Sequence, residues 1–362
     1  MKLNYKLIKT TLAAFLISLA AVVPVYSFSS ESDPHSEDDK EFNATEVIMH
    51  HIADAYEYHL WGEGEHSVSI PLPVILYNTE TGKLSTFLSS KFEHGHASVD
   101  GYKLGDHGIV SESGAHAPRF FDLFGEHHIE FFDFSITKNV FSMLMSTIIL
   151  LLIFVSVAKS YKKREGEAPR GLQNLMESII LFVRDEIAAP NITAKKVDKF
   201  MPYLLTVFFF IWLNNLIGLI PFFPGGANLS GNIAFTATLA VATYIITTIN
   251  GNKDYWGHIF WMPGVPVPIK IALIPIELIG TLTKPFALMI RLFANITAGH
   301  IVVLSLISLI FIFKSVWVSP ASIALALFID VLELLVAFLQ AFVFTMLSAL
   351  FIGAAVEEHE HH

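Results

Sequence analysis

Between residues 200 and 252 the chain carries no charged side chain at all. A run of 53 residues is too long for a single membrane crossing, which takes about 20 apolar residues, and it is interrupted by Pro221, Pro224, Gly225, Gly226 and Gly231. It therefore reads as a helical hairpin, two crossings joined by a turn. A second uncharged run, residues 139–158, is 20 residues long. At 1.5 Å per residue it matches the roughly 30 Å of a bilayer's hydrocarbon layer. Two more long apolar segments, 271–313 and 319–355, bring the number of membrane-embedded helices to five. Composition agrees: 53% of residues are hydrophobic and 15% charged, which argues against an ordinary soluble enzyme. A net charge of -10 argues against a nucleic-acid binder, whose surface must neutralise phosphates. With no cysteine there is no disulfide, thiolate metal site or cysteine nucleophile.

Flanking charges orient the chain. Lys162, Lys163 and Arg164 follow the first crossing directly, so the excess of positive charge places that end in the cytoplasm. Leu172, Leu175, Met176, Ile179, Ile180, Phe182 and Val183 recur at helical spacing among polar residues, predicting an amphipathic helix on the cytoplasmic surface. Lys195, Lys196 and Lys199 precede the uncharged hairpin, and Lys253, Asp254 and Lys270 return the chain to the same side. The last helix then ends inside, in a hydrophilic tail, residues 357–362. At the other end, Lys2, Lys6 and Lys9 precede a short apolar run, and Val25-Tyr26-Ser27 has small residues where signal peptidase favours them. Residues 1–27 are read as a signal peptide, with an uncleaved signal anchor as the alternative. Either places the following segment, 28–138, in the periplasm.

That segment is a different material. It carries 20 Asp or Glu and 6 Lys or Arg, a charge of -14. Residues 29–40 are too polar to bury anything. A helix is expected over 44–60. Val68, Ile70, Leu72, Val74 and Leu76 then alternate with their neighbours, and a turn at 78–83 leads to Leu84, Thr86 and Leu88, which predicts a hairpin. Eleven of the 16 histidines lie here, in pairs such as His50 with His51 and His94 with His96. Imidazoles suit zinc, copper or nickel, but the pairs lack a defined third partner, and no metal or cofactor is assigned. The expected fold is an all-α polytopic membrane protein with five membrane-embedded helices, a cytoplasmic-surface amphipathic helix and a small α+β periplasmic domain. Its parts are 1–27 signal peptide, 28–138 acidic domain, 139–356 membrane domain and 357–362 cytoplasmic tail.

The last two apolar segments hold Glu277, Lys284, Arg291, His300, Asp330, Glu333 and Gln340. Ionisable groups are costly in hydrocarbon and by default mark an ion pathway. At 100° per residue, Glu277, Lys284 and Arg291 drift by only about 20° per seven-residue step, with Asn295 close by on the same stripe. His300, nine residues after Arg291, falls on the opposite face. If the two helices form an antiparallel hairpin turning near residue 316, residues equally far from the turn share a depth. His300 and Glu333 lie 16 and 17 residues from it, and Arg291 and Gln340 lie 25 and 24. Each of these residues also has a plainer reading. Arg291 could be an ion-pair partner of Asp330 or Glu333, His300 a satisfied core histidine, and Asn295 and Gln340 hydrogen-bonding glue between helices. Lys284, which precedes a proline, could snorkel to the interface.

Lys284-Pro285, followed by Arg291-Leu292-Phe293-Ala294-Asn295-Ile296-Thr297-Ala298-Gly299-His300, resembles the signature of subunit a of rotary F-type ATP synthases. Gly171 to Asn174 with Glu177, Val183-Arg184-Asp185, Pro190-Asn191-Ile192, residues 214–221 and residues 333–344 add to the resemblance, which spans about 139–355. It implies a stator that passes protons through two offset half-channels to and from a ring of c subunits, each bearing a membrane carboxylate. Arg291 would separate the channels, His300 and Glu333 would relay protons, and Asn295 and Gln340 would line the path. The implied partners are the c-ring, the subunit b stator, the soluble ATPase head, the lipid bilayer and protons, in a bacterial inner membrane. No Gly-rich phosphate loop is present, so nucleotide chemistry would belong to partner subunits. Two departures stand out. The 28–138 domain is far longer than the family's usual N-terminus, and the histidine and acid of the relay are interchanged relative to some members. The extra domain's negative field could raise the cation concentration at a channel mouth, if it lies within about 8 Å of it.

Two other classes stay open on sequence alone. A secondary ion transporter or channel would also carry mid-membrane charges, but predicts an internal repeat, and no earlier counterpart of Arg291, His300 and Glu333 is visible. A membrane-anchored periplasmic metal binder would explain the histidines and leave the arginine helix without a purpose.

Overall fold

The computed structural model describes residues 45, 48, 52–61, 68–95, 97–105, 108–117, 129–220, 223, 225–262, 265–313 and 317–357. The expected signal peptide, the charged segment 29–40, residues 358–362 and most of the paired histidines lie outside the described residues.

The described residues of the acidic segment form three small antiparallel sheets: β1 (Glu57–Trp61) with β2 (Val68–Pro71), β3 (Pro73–Asn78) between β4 (Leu84–Leu88) and β8 (Phe131–Asp133), and β5 (Ser98–Val99), β6 (Tyr102–Gly105) and β7 (Gly108–Ser111) in order. Val74, Leu76, Phe92 and Phe131 are fully buried between them. The expected β3–β4 hairpin forms, with Leu76 opposite Ser85 and Val74 opposite Phe87, so that Ser85 and Phe87 turn inward while Leu84 and Leu88 are exposed. The alternating run 68–76 is not one strand, because at Leu72 the chain leaves β1 and begins to pair with β4.

The helix expected over 44–60 is corrected. Residues 45, 48 and 52 are helical, but 57–61 form β1, with Tyr58 opposite Ile70 and Ser69 donating to Glu57 Oε2 at 2.7 Å. Tyr56 and Tyr58 are buried in different apolar clusters. Pairing with β2 holds 57–61 extended, and this tertiary contact overrides the helical propensity of the neighbours. The β5–β6 hairpin turns at Asp100-Gly101, both with positive φ, a strong turn signal in the sequence.

Among the described residues five helices are long and apolar enough to cross a membrane. These are α1 (Lys138–Lys163), α3 (Ala194–Gly218), α4 (Ile233–Asn250), α6 (Val267–Phe313) and α7 (Ser319–Val356). Between them lie α2 (Leu172–Phe182), which continues through a π-helical turn (Val183–Ala188), and α5 (Lys253–Phe260). The π turn fully buries Val183, Ile187 and Ala188. The chain is thus a mostly helical polytopic membrane protein.

Helix α7 packs along α6 and α3, and α4 packs against α6. Near the end of α7, Gly353 lies so close to the Asn191 carbonyl that a Cβ there would overlap it. Helix α6 has 47 residues and α7 has 38. At 1.5 Å per residue, α6 measures about 70 Å, more than twice the hydrocarbon thickness, so it cannot stand along the membrane normal within the bilayer. Of its 47 residues only Pro285, Leu288, Leu292 and Ser308 are buried, whereas about half of α3 is. Most of α6 is therefore available to lipid or to another protein.

Candidate functional site in the α6–α7 hairpin

Helices α6 and α7 run antiparallel from a turn between Phe313 and Ser319, and three contacts fix their register. Ser322 Oγ donates to the Leu306 carbonyl near the turn. Glu333 lies against Gly299 farther along. Lys284 Nζ sits 5.7 Å from the Phe351 ring centre near the far end. The pairing by distance from residue 316 therefore holds over the length of the hairpin, with a drift of a few residues.

His300 and Glu333 come together at one cavity. Its walls are Asn215 and Leu219 at the end of α3, Asn295 and His300 of α6, and Glu333 and Ala337 of α7. It offers about 10 Å³ of room, on the order of a single water. A Cβ on Gly299 would overlap Glu333 Oε1, so glycine is what lets the carboxylate lie against the α6 backbone. That oxygen is buried with no hydrogen-bond partner among the described residues, as is Thr297 Oγ1. Buried polar atoms of this kind are costly unless water or a proton-bearing group meets them. The cavity is thus a polar site in an apolar bundle, built from one imidazole, one carboxylate and two carboxamides.

Asn215 was not singled out as a site residue from sequence. It is 4% exposed, its Oδ1 accepts from Ser230 Oγ at 2.5 Å, and its Nδ2 lies 3.5 Å from the Ala337 carbonyl. The available signal was a pair of adjacent carboxamides, Asn214-Asn215, within the 53-residue uncharged stretch, where each must find a partner.

Arg291 lies apart from the cavity, on an exposed stretch of α6, as its nine-residue offset from His300 requires. Among the described residues it makes no ion pair, so neither Asp330 nor Glu333 is its partner. Asn295 is exposed at the cavity's edge, while Gln340 is buried, 4% exposed, in the bundle. Arg291 and Gln340 share a depth but occupy different environments. Among the described residues no group of three metal-binding side chains converges.

A cation with no ion pair among the described residues on one face of an apolar helix, and an acid–imidazole cavity on the other, define a class: polytopic membrane proteins with ionisable groups inside their apolar helices. Comparison with known proteins narrows it. The family model described as ATP synthase A chain matches residues 140–353, and a model described as a domain of unknown function matches residues 47–134. The ATP synthase subunit a of Chloroherpeton thalassium is 49% identical over 234 residues, 64% of this chain and 69% of that protein. Subunit a 2 of Chlorobaculum tepidum is 48% identical over 254 residues, covering 67% and 70%. Subunit a of an Anaeromyxobacter species is 40% identical over 328 residues, covering 87% and 71%, so its similarity extends into the acidic domain. The chain belongs to the ATP synthase A chain family.

Proposed function

We propose that this chain is the proton-conducting stator subunit of a rotary ATP synthase, with Arg291 as the separator between two half-channels. The observation that carries this reading is the division of labour on α6. Its exposed face carries a cation that no group among the described residues neutralises, and its opposite face joins a cavity of proton-binding groups. An unpaired guanidinium in hydrocarbon is costly unless another molecule supplies the counter-charge. A ring of c subunits with membrane carboxylates meets that requirement, and the long exposed surface of α6 and α7 gives it room.

The chemistry follows from these groups. A carboxylate on the ring that reaches Arg291 is held ionised, because the guanidinium keeps its charge in a poor solvent and can pair with it bidentately. It must therefore give up its proton to one channel and take another from the second. The same fixed charge repels a proton moving directly between them. His300 and Glu333 pass protons along the periplasmic half-channel, since a histidine beside a carboxylate offers two adjacent proton-binding groups. Asn215, Asn295 and Gln340 supply polar lining. The driving force is about 2.3 kcal/mol per charge per 100 mV, so several protons are needed for each nucleotide. In this reading the acidic domain is periplasmic and the C-terminus cytoplasmic, in a bacterial inner membrane, with subunit b and the soluble head as further partners.

The chain purified under mild detergent is expected to bring down a c-ring and a soluble ATPase head, and the reconstituted complex to acidify vesicles on addition of ATP. A chain recovered without ring or head from membranes that contain both would argue against the assignment.

A further inference from the structure

The acidic domain is joined to the helical bundle by more than the chain itself. Asp54 accepts hydrogen bonds from its neighbour Ala55 N at 3.0 Å, from Thr137 Oγ1 at 2.8 Å and from Asn139 N at 3.0 Å, so a carboxylate of the domain caps the first turn of α1. Burial pushes the Asp54 carboxyl up, opposed by those hydrogen bonds and by the Lys138 charge. The Lys138 amide also donates to the Ala55 carbonyl at 2.8 Å. Beside this cap, the Tyr58 ring stands edge-on to Phe141 of α1 at 5.5 Å and to Phe223 of the α3–α4 loop at 5.4 Å. Leu72 and the fully buried Ala227 complete the cluster.

From Ala227 it is a short step to the cavity. A Cβ built on Gly218 would stand 3.2 Å from the Ala227 carbonyl and 3.9 Å from His300 Nε2. Three residues along the same loop, Ser230 holds Asn215 in the cavity wall. Buried polar atoms lacking partners gather on this side: Asn139 Oδ1 and Ser142 Oγ on α1, Asn214 Oδ1 on α3 and Asn228 Nδ2 in the loop. Phe141 and Met143, which flank Ser142, pack in clusters with Ala227 and Leu229, which flank Asn228. In a membrane such atoms are tolerated where water reaches them.

We propose that the acidic domain is a built-in part of the proton inlet: its edge at Tyr58 and Leu72 holds residues 225–232 so that Ser230 and Asn215 face the His300–Glu333 cavity, and water reaches the cavity through this joint. The proposal rests on the chain being a proton conductor. It makes Tyr58 and Leu72 positioning residues, acting through the loop. A domain that merely hung from α1 would act only by its electric field, which salt screens beyond about 8 Å. One that positions the loop acts by contact, at any salt concentration.

The test uses whole complexes in vesicles, stripped of the soluble head, with passive proton conduction measured at low and high ionic strength. Tyr58→Ala and Leu72→Ala are expected to lower conduction about tenfold at both, within the hundredfold that a ~1 Å misplacement can cost. Tyr58→Phe, which keeps the ring, should conduct nearly as the unsubstituted complex does. Adding Ser230→Ala to Tyr58→Ala should cost little more, because both act on one linkage. If Tyr58→Ala fails to assemble, Phe223→Ala, on the exposed side of the cluster, must give the same loss. Unchanged conduction in the assembled alanine variants would overturn the proposal, as would a loss that vanishes at high salt. ATP-driven pumping by Arg291→Ala separates the two levels. Normal pumping there would sink the conductor reading itself. Its absence, alongside normal conduction in the joint variants, would sink this inference alone.

Discussion

ATP-driven proton pumping is expected to disappear in Arg291→Ala while the complex still assembles. Assembly should survive because Arg291 is exposed and makes no ion pair among the described residues, and substitutions at such positions usually change stability by less than about 0.5 kcal/mol. Pumping should not survive, because nothing else on that stretch of α6 can hold a passing carboxylate ionised. Lys284, seven residues away, sits over the Phe351 ring toward the other end of the hairpin. Arg291→Lys should recover only part of the activity, since an ammonium can lose its proton in a poor solvent and cannot form the two-pronged pair. Acidification of vesicles measured by a pH-sensitive dye decides the matter, and normal acidification by assembled Arg291→Ala would remove the separator role.

The second large effect is expected at the cavity. Replacing either His300 or Glu333 by alanine should slow proton flow by about 10²-fold, the lower range for losing a positioned proton-transfer group. Exchanging the two residues should restore more activity than either single change. The reason is geometric: both line one small cavity, from opposite helices at one depth, so either order leaves an imidazole beside a carboxylate. The glycine at 299 matters here, because it leaves space on α6 for whichever group stands at 333. If the exchanged protein conducts no better than the worse single variant, the two groups do not act as an interchangeable pair.

The parts legible in the sequence were those governed by a period or by membrane thickness. Five helices follow from apolar runs, and the meeting of His300 with Glu333 follows from counting outward from residue 316, because an antiparallel hairpin leaves only one free variable. Asn215 escaped since its place in the cavity comes from packing of α3 on α7, a contact across 122 residues to Ala337 that no local pattern encodes. Tyr58 was assigned to a helix for a related reason. Its strand exists because Ile70 pairs with it and because Phe141 and Phe223 bury its ring, and these partners belong to other parts of the chain. The Asp100-Gly101 turn, by contrast, was readable from two adjacent residues.

The central claim is that the Arg291 face of α6 lies against a rotating ring, and the absence of cysteine from the chain allows a direct measurement. Single cysteines at Ala287 and Ala294, exposed residues one turn either side of Arg291, would be combined with one in the ring subunit's membrane helix beside its carboxylate. Leu152→Cys, on the exposed face of α1, serves as the control. Cross-links to the ring from positions 287 and 294, and none from position 152, are the predicted result. Assembled complexes in which the α6 positions fail to cross-link would contradict the account.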